Sequence, residues 1–307
     1  YDQYGNLRGP IVATNTTDCH GHGTHVAGTI GSNTYGVAEG VTLVPVRVLD
    51  CAGSGTTSSV IDGIDWAIGN HVSGVPAVLN LSLGGGISGE LDNAVNNAIV
   101  DGIVVVVAAG NDGDDLDVTK RNACNYSPAR VPDAITVGAT TSADTRAIFS
   151  NIGSCVDLFA PGQSFMSTGL NGSTNTISGT SMAAPHVAGA AAAIWGANLT
   201  TTSSSIQSLT LAAVTANKLT NVPNGTPNLL LYVPAGNGVA PSTPLNVAAV
   251  GGPGRATLTW QAPTDSGSSA ITGYTVTSNP DNKKCYWSTG ALSCKVLGLR
   301  SNVTYSF

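Results

Sequence analysis

The chain has 307 residues, of which 42% are hydrophobic and only 10% charged, and its formal net charge is −6; an average globular domain carries about 25% charged residues. That length suggests two domains or one large domain with an appendage, the apolar share supports a sizeable core and excludes disorder as the dominant state, and the negative balance leaves no basic field for nucleic acid. The longest apolar run, residues 103–109, is far shorter than the roughly 18–20 residues that cross a bilayer, so no membrane partner is expected.

In chain order, residues 43–49 (LVPVRVL) read as a strand and residues 60–70 carry helical spacing. Residues 77–83 (AVLNLSL) form the next expected strand, 91–100 a helix and 103–107 (IVVVV) a strand, with further strands at 134–137 and 155–159. Near-continuous Val/Ile/Leu runs suit strands covered on both faces. Strand–helix alternation of this kind argues for a mostly parallel α/β sheet with right-handed crossovers. Residues 182–197 are Ala, Gly, Val and Ile on every side, the composition of a helix running through the middle of a molecule. Residues 233–244 have a linker composition rich in Pro, Gly and Ser. Beyond them, residues 245–247, 256–260, 271–276 and 303–307 alternate apolar and polar at period two, which suggests a β-sandwich.

Both ends read as cut: Tyr1 follows no signal peptide, and Phe307 falls inside a strand-like run. Six cysteines, at 19, 51, 124, 155, 285 and 294, include no C-x-x-C, so zinc-ribbon and thioredoxin readings lack their spacing. Three disulfides in an oxidising compartment are expected, with buried free thiols as the alternative. A Cys19–Cys51 bridge would close a loop of about 32 residues, worth roughly 3–4 kcal/mol if chain entropy is the whole effect. Together with a surface poor in Lys and Arg and rich in Gly, Ser and Thr, the cysteines point to a secreted, extracellular protein.

Three patches carry chemistry. The first is Cys19-His20-Gly21-His22-Gly23-Thr24-His25. Its histidines invite a zinc reading, but the two-residue spacing and the absence of H-E-x-x-H argue against it. The second, Ala108-Ala109-Gly110-Asn111, follows a buried strand; a lone Asn there is often only a turn residue. The third, Gly179-Thr180-Ser181-Met182-Ala183-Ala184-Pro185-His186, opens the all-small helix. Ser181 can be read as an N-cap, but a cap requires neither a preceding glycine nor a small-residue helix. A nucleophile benefits from both, because the helix N-terminus presents an N–H and a favourable dipole to a developing oxyanion.

In this order the three patches resemble the subtilisin-like serine proteases, in detail the proteinase K and aqualysin branch, over about residues 1–234. The implied fold is an α/β three-layer arrangement with a mostly parallel sheet. The Pro-x-x-Pro start, Trp260 strand and Ile271-Thr-Gly-Tyr274 segment resemble a fibronectin type III module at 242–307, after a linker at 235–241, with its last strand missing. The resemblance implies a secreted endopeptidase acting through an acyl-enzyme: Ser181 the nucleophile, His22 the general base, and Asn111 the side-chain oxyanion donor. It also implies a triad aspartate. Neither Asp2 nor Asp18 carries the D-[ST]-G signature, so that carboxylate is expected upstream of Tyr1 and the 307 residues alone are expected to be close to inert.

Substrate is expected along Gly53, Ser54 and Gly55 by β-addition, with primary-pocket walls from Ser82, Leu83 and Gly84 and from Ala108, Ala109 and Gly110. Those small and apolar side chains predict broad specificity with an apolar or aromatic preference and no carboxylate to select Lys or Arg. The resemblance pairs Cys19–Cys51 and Cys124–Cys155, leaving Cys285–Cys294 local to the appended module. It places a structural Ca²⁺ on Asp157 with the carbonyls of Pro132 and Ala134, the alternative being an Asp that caps a strand end. No catalytic cofactor is expected. The acids Asp112, Asp114, Asp115 and Asp117 read as a solvated loop, His25 and His186 as core histidines, His71 as a surface residue, and Trp66, Trp195, Trp260 and Trp287 as packing residues. The expected partners are protein or peptide substrates and the protein's own N-terminal pro-segment, acting on a monomer. The competing reading is a non-catalytic scaffold on the same fold.

Overall fold

The computed structural model of the protein describes residues 17–232, 241–265, 271 and 273–307; apart from Pro241, the linker expected at 235–241 lies outside the described residues. The chain divides into two units, Tyr1–Asn237 and Gly238–Phe307.

In the first unit α1 (His22–Gly31) and α2 (Thr57–Asn70) precede β1 (Val78–Leu81) and the two-residue β2 (Gly85–Gly86). Next come α3 (Gly89–Val100), β3 (Val104–Ala108), β4 (Tyr126–Ser127), β5 (Ile135–Thr140) and β6 (Leu158–Pro161). The hairpin strands β7 (Phe165–Thr168) and β8 (Thr174–Ile177) lead into α4 (Thr180–Ala197), followed by α5 (Ser203–Ala212), β9 (Val214–Ala216) and β10 (Leu229–Leu231). Six strands form the main sheet in the order β1-β3-β5-β6-β10-β9. Its pairs are parallel except for β10–β9 at one edge.

The valines of β3 show why this sheet is central. Val104, Val106 and Ala108 face α4 and α5 on one side, while Val105 and Val107 face α2 and α3 on the other. A strand buried on both faces has no room for polar residues, and β3 has none. Gly, Ala and Val let α4 lie close against the sheet, and His25 of α1 and His186 of α4 are both buried. Helix starts are set locally. Thr56 Oγ1 accepts from Ser59 N while Ser59 Oγ accepts from Thr56 N, a capping box for α2, and Ser88 Oγ accepts from Leu91 N at the start of α3.

The strand expected at 43–49 does not form. Val44 is 64% exposed, Val46 and Val48 lie against Gly63 of α2, and Arg47 Nε donates to Leu49 O at 3.0 Å. Alternation supplies a buried face but not a ladder partner, and among the described residues no strand runs alongside this segment.

The second unit holds β11 (Leu245–Gly252), β12 (Arg255–Gln261), β13 (Tyr274–Thr277), β14 (Lys284–Trp287) and β15 (Ser293–Leu297). They form the antiparallel sheets β11-β12-β15 and β13-β14. Trp260, Tyr274 and Trp287 pack in series at tilted angles (59° between planes), with ring centroids 5.2 and 5.3 Å apart. The strand expected at 303–307 is reduced to one bridge, Asn279↔Ser306, as the Tyr305 hydroxyl turns to Asp281, which Arg300 Nη2 also holds at 2.6 Å. Disulfides join Cys19–Cys51, Cys124–Cys155 and Cys285–Cys294. Among the described residues no helix is long and apolar enough to cross a membrane.

Candidate active site

Ser181 is the second residue of α4, and Pro185 lies four residues further on. In a regular helix the N–H of residue 185 would reach the carbonyl of residue 181, and proline has none. The Ser181 carbonyl freed in this way accepts instead from Ser82 Oγ at 2.8 Å. Ser82 Oγ is itself fixed by Asn80 Nδ2 at 2.9 Å. In return Ser181 Oγ donates to Ser82 O at 3.1 Å. The turn after β1 and the first turn of α4 are thus tied through both ends of one serine.

Asn111 approaches from the end of β3. Gly110 takes the left-handed conformation (φ 103°) that makes the turn. Two donors, Thr180 N at 2.8 Å and Thr180 Oγ1 at 3.0 Å, hold one atom of the Asn111 amide. A backbone N–H is only a donor, so that atom is the oxygen and the Nδ2 protons are left to point elsewhere. Gly110 N donates to the same Thr180 hydroxyl at 3.1 Å. Asn111 and Ser181 line one cavity of about 280 Å³ together with Leu83, Gly84, Ala108, Ala109 and Gly110. A fixed amide donor beside a helix N-terminal hydroxyl is the arrangement that stabilises an oxyanion.

His22 opens α1, which packs directly on α4. Burial, reinforced by His20 and His25, pushes its pKa below 6.5 against the pull of Asp18, so the imidazole is neutral at pH 7 and able to accept a proton. Among the described residues its ring makes no hydrogen bond, and Ser181 Oγ is turned toward Ser82 O. Asp18 is committed elsewhere: its carboxylate accepts from His20 N at 3.0 Å, Gly21 N at 2.8 Å, Thr24 N at 2.8 Å and Thr24 Oγ1 at 2.7 Å. Burial would raise its pKa, but those bonds, led by Thr24 Oγ1, hold it at about 2. Gly21 occupies the N-cap position of the helix that carries His22, and Asp18, three residues earlier, ties that residue and the helix's first turn through Gly21 N and Thr24 N. The β7–β8 hairpin clasps the same helix. His25 Nε2 lies 3.1 Å from Phe165 O and 3.2 Å from Asn175 O, and Ser167 Oγ and Thr168 Oγ1 donate to the carbonyls of His25 and Thr24.

Gly53, Ser54 and Gly55 precede α2 but do not line the cavity. Their turn is closed on Asp50, whose N–H reaches Ser54 O at 2.8 Å and whose carboxylate takes Ser54 N at 3.0 Å. Both backbone groups of Ser54 are therefore engaged within the turn. The cavity is also lined by Asp112, expected in a solvated loop, and by Tyr126; the Tyr126 phenol, its pKa raised by burial and by Asp112, donates to the Asp112 carboxylate. The pocket thus has a carboxylate, contrary to the expectation from its glycine and alanine walls. The residue following Asn111 turns inward, and a run of four acids in the sequence masked that.

Asp157 N donates to Thr136 O at 2.9 Å, and its carboxylate accepts from Thr136 N at 2.7 Å. Burial pushes the carboxyl up to about 6 against that one N–H. Among the described residues its other oxygen has no donor, and no three acidic, His or Cys side chains gather as metal ligands. A cation there would rest on one carboxylate plus carbonyl oxygens such as those of Pro132 and Ala134, a hard-oxygen donor set that fits Ca²⁺.

Sheet, buried helix and site together have the form of a serine hydrolase built on a parallel α/β core. The chain belongs to the subtilase family, whose model matches residues 9–232, and residues 240–307 match the fibronectin type III domain. Over 219 residues the chain is 62% identical to an extracellular serine proteinase of Thermus sp. (strain Rt41A), covering 71% of this chain and 51% of that protein. It is 53% identical over 216 residues to alkaline serine exoprotease A of Vibrio alginolyticus, covering 70% of this chain and 39% of that one. A crystal structure of a cold adapted subtilisin-like serine proteinase superposes with a TM-score of 0.66 at 53% identity, over 70% of this chain and 76% of the other. The chain thus spans about half the length of the first of those curated relatives and 39% of the second.

Proposed function

We propose that the protein is a secreted serine endopeptidase, with Ser181 as nucleophile, His22 as general base and Asn111 Nδ2 with the Ser181 N–H as oxyanion donors. The observation that carries this reading is the Asn111 amide: its oxygen is held by two Thr180 donors, which leaves its NH₂ free to donate, in a residue that lines one cavity with Ser181. In the reaction His22 takes the Ser181 proton as Oγ attacks the peptide carbonyl. The tetrahedral oxyanion forms against the two donors, and the same imidazole returns the proton to the leaving amine. Water then repeats the sequence on the acyl-enzyme. Asp18, held at the start of α1 by His20 N, Gly21 N, Thr24 N and Thr24 Oγ1, is not the carboxylate that orients His22. Apolar and aromatic side chains suit Leu83, Ala108 and Ala109, while Asp112 extends the range to side chains with a cationic end. Extended substrate lies along Gly55 and the Gly53 carbonyl.

Three disulfides and the extracellular relative support secretion, Ca²⁺ at Asp157 acts as a structural ion, and the protein works as a monomer matured from its own pro-segment. A fluorophosphonate probe at pH 8 is expected to label the full-length protein on Ser181, and Ser181→Ala to abolish both labelling and peptide hydrolysis. Absence of labelling in the parent protein, or labelling that survives Ser181→Ala, overturns the reading.

A further inference from the structure

Asn151 is wholly buried and lies in a loop 40 residues along the chain from Asn111, yet its bonds bracket that residue. Asn151 N donates to Gly110 O at 3.0 Å, its Nδ2 donates to Ala109 O at 3.0 Å, and its Oδ1 accepts from Asp112 N at 2.8 Å. The side-chain amide therefore holds the backbone two residues before and one after Asn111, and the Asn151 backbone N–H holds it one residue before. The approach is close: a Cβ on Gly110 would lie 2.3 Å from Asn151 Nδ2, so the glycine is what lets the side chain reach both partners.

The loop behind Asn151 is gathered around a buried guanidinium. Arg146, only 7% exposed, donates through Nη1 to the carbonyls of Ala147, Ile148 and Ser150 at 3.1, 3.1 and 2.6 Å and through Nε to Asn221 O at 2.9 Å. Ser150 Oγ in turn accepts from Ala139 N of β5 at 2.9 Å. A buried cation satisfied by carbonyls gathers them into a tight turn, and that turn is anchored on the sheet next to β3.

We propose that Asn151 is a positioning residue for the oxyanion site: it fixes the backbone of Asn111, as Thr180 fixes its side chain, so that Nδ2 is set before substrate arrives. This rests on the proteolytic role given to Asn111 above. Removing the side chain frees residues 109–112 to shift, and displacing a catalytic donor by about 1 Å is worth on the order of 100-fold.

The test is a double-mutant cycle in the full-length protein, using Asn151→Ala and the near-isosteric Asn151→Asp, each alone and combined with Asn111→Ala. Asn151→Asp keeps an acceptor for Asp112 N and loses the donor to Ala109 O, so it remains informative where Asn151→Ala fails to fold. Either variant is expected to lower kcat by about 10- to 100-fold with little change in KM, and by less than about 3-fold once Asn111 is already alanine. Equal losses in both backgrounds, or a lowered melting temperature with kcat intact, overturn the proposal and leave Asn151 a purely structural residue. Side-chain NMR gives a readout independent of turnover: the two Nδ2 protons of Asn111, assigned by their loss in Asn111→Ala, are expected to be well separated in the parent and to average in Asn151→Asp. A parent protein without hydrolytic activity would sink the proteolytic reading, and the NMR signals would then decide the clamp, an unchanged pair in Asn151→Asp refuting it.

Discussion

Replacing Asp157 with Asn separates the burial of a charge from its relief by a cation. In the ion-free protein burial raises the Asp157 carboxyl from 3.8 to about 6. Below 3.8 the group is neutral in both folded and unfolded chains and costs nothing. Between 3.8 and about 6 the unfolded chain holds fewer protons than the folded one, so stability falls as pH rises, and above about 6 the whole penalty stands. A displacement of that size corresponds to at most about 3 kcal/mol, less where solvent reaches the side chain. At roughly 2–4 °C per kcal/mol for a unit of this size, Asp157→Asn in chelator at pH 7.5 is expected to melt up to about 6–12 °C above the parent. At pH 4 the gap should shrink to its smallest. Calcium closes most of that gap at pH 7.5: at about 100 times its Kd it adds about 2.7 kcal/mol to the parent and little to the variant. Scanning calorimetry in a Ser181→Ala background, where autolysis does not intervene, reads all of these conditions. A variant less stable than the parent in chelator at pH 7.5, or one that gains as much from calcium as the parent does, refutes the assignment.

Ser82→Ala removes the donor to the Ser181 carbonyl that Pro185 leaves open; a loss of about 1–3 kcal/mol in urea unfolding is expected. Adding Pro185→Ala supplies an N–H to that carbonyl and should recover part of the loss, whereas further destabilisation would show that the proline is not the cause. Asp112→Asn is expected to lower kcat/KM for peptides with Lys before the scissile bond by about 2- to 5-fold relative to Phe peptides, the scale of a partly exposed charge pair; an unchanged ratio removes Asp112 from specificity. His71 joins α2 to α3 through Asp101, Nδ1 to Oδ2 at 2.7 Å, with Nε2 on Val75 O at 2.8 Å. Burial would lower its pKa, but Val75 O and Asp101 outweigh that and raise it, since only the imidazolium donates from both nitrogens. The latch is fully present below 6.5 and fades as pH rises through the raised value, so Asp101→Asn should cost about 1 kcal/mol more at pH 5.5 than at pH 8.5. Equal costs at the two pH values would exclude charge from the latch.

The residues that could react were legible in the sequence, and most of those that support them were not. Ser181 stood out because its glycine and all-small helix are anomalous locally, and β3 because five residues buried on both faces leave a run without polar interruption. By contrast Asp112 was hidden in a run of acids, since nothing in the order N-D-G-D-D tells which side chain turns toward Tyr126. The β7–β8 hairpin has Phe165 and Met166 side by side and only Ile177 as a third apolar residue among Ser, Thr and Asn, so it carries no clean alternation, yet it clasps α1. The 43–49 run shows the opposite failure: strong alternation, but no neighbour to complete a ladder. In the second unit β14 and β15 were missed because Cys and Lys interrupt their pattern, although Cys285 and Cys294 are what tie them together.

The division follows from where each kind of information resides. A nucleophile or amide donor is a side-chain property carried by one position, while its placement depends on backbone carbonyls and N–H groups that every residue possesses. The side chains of Thr180, Asn151, Ser82 and Asp18 each act on main-chain groups of segments distant in the chain or one turn away: the Thr180 hydroxyl on Gly110 N, Asn151 on Ala109 O, Ser82 on Ser181 O and Asp18 on Thr24 N. Pro185 acts by lacking such a group. Sequence pattern is silent about which carbonyl will be left open, so the support of a site like this one emerges only when every donor and acceptor around it is followed to its partner.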